Sequence, residues 1–262
     1  MEGREGIAPL DAGASGVESH DPAPTRDDAR LDAAHRGSAR WHRGAVTAQA
    51  FLRDALRDVV GPNARAHGFA GSAPTWRRST AAGDWAVVNV QSSSFSSADR
   101  LHCVVNMAVA PEPWLRWSRQ RLGEAMPKFV NESLGLYRDR LHPTGTPPGV
   151  DGWWEVTDRQ SAVAAASDVV TQLEASGWPV LERLLVPGGM LDQVRKGDLG
   201  AKKHANLGVF FARAEALLVM DQGLGEELEA NLHYALEQCT PAQRENALRF
   251  DQWVREQALR CS

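Results

Sequence analysis

Cysteine is scarce in this chain of 262 residues. Cys103, Cys239 and Cys261 are the three present, and they lie far apart. That number and spacing argue against a disulfide framework and against a zinc site. A reducing compartment is the simplest setting, and a cytoplasmic location is expected. Long apolar runs are missing as well. The opening MEGREGIAPLDAGASG holds no signal-peptide core. The longest candidate span, Leu207 to Met220, is broken by Arg213 and Glu215, whereas a membrane helix needs roughly 20 apolar residues. No membrane association is therefore expected. Neither sign of charge dominates: the net charge is −4 and the sequence pI about 6.1. That balance encodes no long-range attraction to nucleic acid or to an anionic membrane.

Chemical signatures are missing too. The eight histidines form no HxH, HxxxH or HExxH spacing, and GxSxG is absent, so neither a metal nor a nucleophile motif can be read. Gly188-Gly189 and Gly197 to Lys203 lack the phosphate-loop pattern. Gly223-Leu224-Gly225 is half of a dinucleotide fingerprint and follows no strand. No cofactor is expected.

What is present suffices for a folded core: 43% hydrophobic and 24% charged residues are ordinary globular values. Nine tryptophans stand against two tyrosines, and buried packing is the default reading for each. Residues 1–44 are rich in Ala, Gly, Asp, Pro and Arg, and such a segment buries too little apolar area to offset its ordering entropy. A disordered arm is expected there, with a helix around Arg26 to Arg40 only on contact with a partner.

Order should begin at Thr47, a good N-cap. Phe51, Leu52, Ala55, Leu56, Val59 and Val60 then make one helical stripe, which Gly61 and Pro62 stop or kink. Gly68-Phe69 reads as a turn and an anchor. The period then changes. Thr75 to Thr80 and Trp85 to Gln91 read as strands joined by a Gly83-Asp84 turn. Leu101, Cys103, Val105, Met107 and Val109 alternate with His102, Val104, Asn106 and Ala108, which places the two sets on opposite faces of a sheet. If the hairpin turns between Ser96 and Ser97, Gln91 lies opposite His102 and Val87 opposite Asn106. A stretch from Leu122 to Leu141 is ambiguous, His142 to Gly152 is a loop, and Trp153 to Val156 is a short strand. Asp158 to Ser176 reads as a helix with Val163, Val170 and Leu173 inward, and Pro179 opens another apolar turn.

From Ala201 the pattern is helical. Phe210, Phe211, Ala214, Leu217 and Leu218 form one stripe; Leu224, Leu228, Leu232 and Leu236 form a second. Thr240-Pro241-Ala242-Gln243 is a capping box with proline at the first helical position. The fold class is α+β: an antiparallel sheet of three to five strands packed by helices, with a helical C-terminal section. The expected division is an arm at 1–44, a core domain at 45–200 and helices at 201–262 packed on it.

Several of these features together resemble an uncharacterised bacterial family catalogued as domain of unknown function 4304. They run from Phe51 to about Phe211: the helix into Gly68-Phe69, Trp76-Arg77-Arg78, Val87-Val88-Asn89-Val90-Gln91-Ser92, Val105-Asn106-Met107-Ala108-Val109, Trp153-Trp154 after an Asp-Gly turn, and Trp178-Pro179-Val180-Leu181. The order of the parts carries the likeness. The resemblance implies an immunity-type or partner-binding role and supplies no catalytic residues.

Trp85, Asn89, Gln91, His102 and Asn106 share the non-core strand face and are the candidate binding residues. Against this stands the plain reading of a solvated sheet face. Two basic stretches accompany them: Arg195, Lys196, Lys202, Lys203 and His204, and Arg116, Arg119 and Arg121 beside Trp114 and Trp117. Snorkelling cations on amphipathic helices account for such interleaving better than nucleic acid does. The expected function is non-enzymatic binding through a protein partner. The alternative is an enzyme or nucleic-acid-acting protein whose site is assembled around the strand face. A cleft joining His102 to several carboxylates would favour the alternative, and a flat face centred on Trp85 would favour the binder.

Overall fold

The computed structural model describes residues 47–261, so the arm expected over residues 1–44 lies outside the described residues. Thr47 caps α1 (Ala48–Ala55), its hydroxyl accepting from the Ala50 N–H at 3.3 Å. Leu52, Ala55, Leu56 and Val60 are buried, while Asp54, Arg57 and Asp58 pair with one another on the exposed side. Gly61 and Pro62 do not end this helix. A π-helical turn over Leu56–Val60 precedes them, and the chain continues as α2 (Gly61–Ala66). A proline ring clashes with the carbonyl four residues back, and the extra residue in a π turn re-aims the carbonyls just ahead of it.

Six antiparallel strands follow: β1 (Ala70–Ser72), β2 (Thr75–Ser79), β3 (Trp85–Ser92), β4 (Leu101–Ala110), β5 (Tyr137–Leu141) and β6 (Trp154–Val156). The first five lie side by side in chain order, and β6 pairs with β4 beyond the end of β5. The ten-residue β4 therefore carries two strands end to end on one edge: β5 along Val105 to Val109 and β6 along Leu101 to Cys103. The alternation predicts the faces correctly. Ala86, Val88 and Val90 share a buried face with Leu101, Cys103, Val105 and Met107. Burial pushes the Cys103 thiol up to about 12, so it stays protonated and packs as a small apolar group.

The expected register is corrected by two residues. Asn89 lies opposite Asn106 and Gln91 opposite Val104. The turn sits at Ala98-Asp99 instead of Ser96-Ser97, because Ser97 closes a tight loop onto Arg100 and the Ser96 hydroxyl accepts from the His102 N–H. A shift of two keeps every side chain on its face, since the period of a strand is two.

After β4 comes α3 (Glu112–Leu122); the ambiguous segment beyond it holds two short 3₁₀ turns and then β5. Asp158 caps α4 (Arg159–Gln172) in a reciprocal box with Ser161. The helix runs past the expected end at Ser176: a second π turn, Leu173–Gly177, leads into α5 (Trp178–Leu185). Val170 and Leu173 face the core as expected, but Val163 does not. Ala162, Ala165, Ala166 and Val169 are buried, whereas Val163 is 46% exposed. Small side chains on that face let α4 lie close against α1.

The two bulged helices meet at Trp178. Its indole N–H donates to Asn63 Oδ1 at 2.9 Å, and Asn63 donates to Glu174. His67 stacks on the indole at 5.0 Å, its two nitrogens reaching Glu182 and Glu174. Burial works against a charge on His67, but the hydrogen bonds to Glu182 and Glu174 outweigh it and hold its pKa above the ordinary value.

Next come α6 (Gly189–Arg195) and a small hairpin of β7 (Asp198–Leu199) and β8 (Lys202–Lys203). The hairpin corrects the expectation that everything from Ala201 is helical. The remainder is helical: α7 (Gly208–Val219), α8 (Glu226–Glu237) and α9 (Arg244–Cys261). The Thr240–Gln243 capping box forms as expected, around a 3₁₀ turn that runs into α9. Phe211 and Ala214 of α7 join the main core, while Ala216 and Leu217 join a second cluster with Leu228, Leu232, Phe250 and Val254. Leu224 lies before α8 and is exposed. No helix among the described residues is long and apolar enough to cross a membrane.

Candidate functional site

One face of the sheet is core; the other carries a small apolar cluster at one end and half-exposed polar side chains beyond it. The cluster consists of Ala110, Leu115 and Leu134, with Trp85, Leu122, Met126 and Val130 packed on it. Trp85 thus serves as an anchor for the segment after α3. It lies four residues, about 13 Å, along β3 from Asn89.

Asn89, Gln91 and Asn106 come together on the polar part. Asn89 donates to the Thr75 hydroxyl at 2.8 Å, and Asn106 donates to Gln91 Oε1 at 2.9 Å. The register puts Asn106 opposite Asn89 on one side and Arg140 on the other, so a polar row crosses β2, β3, β4 and β5. Arg140 extends it: Nη1 contacts both carboxylate oxygens of Asp151 at 2.8 and 3.0 Å, and Trp153 lies over the guanidinium at 5.6 Å. The Trp153 N–H closes the set on Asp151 at 3.2 Å. Those bonds to Arg140 hold the Asp151 pKa below the usual carboxylate range. His102 is on the same face but at the far end of β4, 3.9 Å from Glu155 and from no other carboxylate within ion-pair distance among the described residues. The fully exposed Phe95 (94%) stands at the hairpin tip beyond it.

Beside the row opens a cleft of about 490 Å³ whose lining includes Asn106, Arg138, Arg140, His142, Asp151 and Lys202. Its far wall is the β7–β8 hairpin, docked on β5 by the Ala201 N–H donating to the Arg138 carbonyl at 2.7 Å. Its near wall is the loop between β5 and β6. Asp168 of α4 pins the base of that loop, accepting from the Thr144 N–H and the Trp154 indole. The loop then carries Val150, Asp151 and Trp153 to the rim.

The cleft lining carries three carboxylates, Glu132, Asp139 and Asp151, and three fixed cations, Arg138, Arg140 and Lys202. Asp151 is taken by Arg140, and Asp139 by the Tyr137 hydroxyl and the Arg140 N–H. Arg138 has no ion-pair partner among the described residues, and Lys202 has none either. The Lys202 ammonium instead sits 4.8 Å above the Phe210 ring and 3.5 Å from the Leu136 carbonyl. Burial, with the neighbouring Arg138 charge, pushes its pKa down to about 8. A lysine reacts as the neutral amine, so Lys202 should acylate with a midpoint near pH 8, well below the ordinary 10.5. Competitive acetylation against Lys203 across pH 7–11, read by peptide mass spectrometry, checks this; co-titration of the two would refute it.

The other cations of the two basic stretches are largely engaged. Arg195 pairs with Glu215 and Glu227, Lys203 with Asp198, and Arg116 with Glu112 and Asp221. Arg138, Arg140 and Asp151 were not singled out from the sequence. The alternation of Arg138 and Arg140 in YRDRL was their only local signal.

Residues 60–183 match the family described as a domain of unknown function, DUF4304. The match is narrower than the span 51–211 whose features carry the resemblance. No curated protein and no solved structure matches the chain.

Proposed function

We propose that the chain, whose residues 60–183 belong to the DUF4304 family, is a non-enzymatic binding protein that seats a protein partner on the polar sheet face. One observation carries this reading: a polar row, cross-linked by side-chain hydrogen bonds, runs into a cleft where Arg138 and Lys202 form no ion pair among the described residues. Strand-borne groups need little ordering on association, which lowers its entropic cost. Exposed Phe95 and half-exposed Trp153 supply apolar anchors at the margins. The partner would offer a carboxylate side chain to the cleft and flat polar surface to the row. His102 facing a single carboxylate supports binding over catalysis. The immunity-type role implied by the resemblance is one form of this reading. Free Cys103, Cys239 and Cys261 support a reducing compartment such as the cytoplasm.

The test is paired affinity capture from native lysate with wild type and the double variant Asn89→Ala, Gln91→Ala. Both substitutions lie on the polar face, so folding should be spared. A stoichiometric protein retained by wild type and lost from the variant is expected. Equal capture by the folded variant, or a wild-type protein that elutes alone, would overturn the reading.

A further inference from the structure

A second cavity, of about 340 Å³, lies between α3, α7 and α9, away from the sheet face. Trp114, Trp117, Phe210 and Phe250 form its walls. The rings hold one another edge-on: Trp114 meets Phe210 at 5.6 Å, and Trp117 meets Phe250 at 5.0 Å. Its polar lining is Ser118, Asn246, Arg121 and Arg213, with no carboxylate.

Arg213 is the anomaly. Its Nε and Nη2 are shielded from solvent and lack a hydrogen-bond partner among the described residues. The guanidinium lies 5.4 Å from the centre of the Phe250 ring, a contact that attracts the cation and satisfies none of its N–H groups. Burial works against its charge. A half-buried guanidinium without counter-ion or acceptor is costly to a fold. The neighbouring arginines contrast with it: Arg116, Arg195 and Arg255 each hold two carboxylates. Nε and Nη2 together form the fork that grips a carboxylate through two parallel bonds. Because that edge has no acceptor where it lies, turning it toward the cavity breaks no hydrogen bond.

We propose that this cavity binds a small organic anion, a carboxylate carried on a flat one- or two-ring apolar body. The rings take the body, Arg213 takes the carboxylate, and Arg121 at the mouth adds attraction. The volume falls within the range of small-ligand sites, and an apolar lining with a few convergent polar groups is their usual composition. The site shares the Phe210 ring with the seat of Lys202 but does not rest on a protein partner being found on the sheet face.

The probes are 1-naphthoate and its neutral isostere 1-naphthamide, titrated by calorimetry into the full chain. Wild type should bind the acid about tenfold or more tighter than the amide, since only the acid supplies the paired charge. Arg213→Met should erase that preference while melting no lower than wild type, because it removes an unpaired buried charge and keeps an apolar stem. Asn246→Trp, at an exposed rim position, should block both probes without touching the core. No binding of naphthoate at millimolar concentration, equal affinity for acid and amide, or unaltered binding by either variant would overturn the proposal. Marked destabilisation by Arg213→Met would do so too, by making the arginine a structural group.

Discussion

Replacing Trp178 by alanine is expected to cost about 3–5 kcal/mol of stability, against a total of roughly 5–15 for a domain. Trp178 is fully buried, and it joins both bulged helices. Its loss opens a cavity beneath Phe69 and His67, whose rings lie 4.8 and 5.0 Å from it. It also strips Asn63 Oδ1 of its donor. Trp178→Phe separates the two effects: the ring volume is mostly kept, and the lost hydrogen bond should cost about 1–2 kcal/mol. Urea unfolding of both variants provides the comparison. An alanine variant within 1 kcal/mol of the phenylalanine variant would mean that packing there is unimportant. The pH dependence should behave differently. His67 has a raised folded pKa, so its pairing with Glu182 and Glu174 stabilises below the ordinary 6.5 and is lost as pH rises through the raised value. In the alanine variant the stacked indole that helps bury His67 is gone, so the burial opposing its charge is relieved and this dependence should persist or grow.

Gly200→Ala is expected to detach the β7–β8 hairpin. Gly200 has φ +74°, and an added Cβ would stand 2.2 Å from the Arg138 carbonyl oxygen and 2.9 Å from Asp139 Cβ. Neither the backbone oxygen nor the left-handed conformation leaves room for it. The bond from Ala201 to Arg138 should break, with a stability loss of about 1–3 kcal/mol. Lys202 would leave its partly buried seat, and its acylation midpoint should rise from near 8 toward 10.5. Amide exchange at Ala201 should speed up in parallel. A Lys202 midpoint still near 8 would mean that the hairpin is held by something other than this close approach.

What the sequence made legible was local. Thr47 and the Thr240–Gln243 box announce helix starts because capping involves residues three apart. The β4 alternation separates Cys103 and Val105 from His102 and Asn106 because strand period is built into the backbone. What escaped depends on distant partners. The π turns before Pro62 and Pro179 yield a Trp178–Asn63 contact across 115 residues. The inward face of α4 is set by how near α1 comes, so alanines displace Val163. The hairpin register hangs on two serine hydroxyls in a loop with no turn signature. Of the candidate residues, Asn89, Gln91 and Asn106 meet as their shared face implied, while Trp85 is drawn under the segment after α3. The cleft escaped because Arg138 and Lys202 meet only through a hairpin docked on a strand edge. Arg213 looked like an interruption in an apolar stripe, and only the packing of α9 makes it a stranded cation.

The end-to-end placement of β5 and β6 on β4 bears on how such a protein can diversify. Both strands keep their pairings whatever connects them, and Asp168 clamps the connector at its base. Doubling the length of such a connector adds only about 0.6 kcal/mol of closure entropy. The tip that brings Asp151 and Trp153 to the rim can therefore be rewritten, lengthened or exchanged while the sheet beneath it is inherited intact. Change at that tip is thereby uncoupled from whether the protein folds.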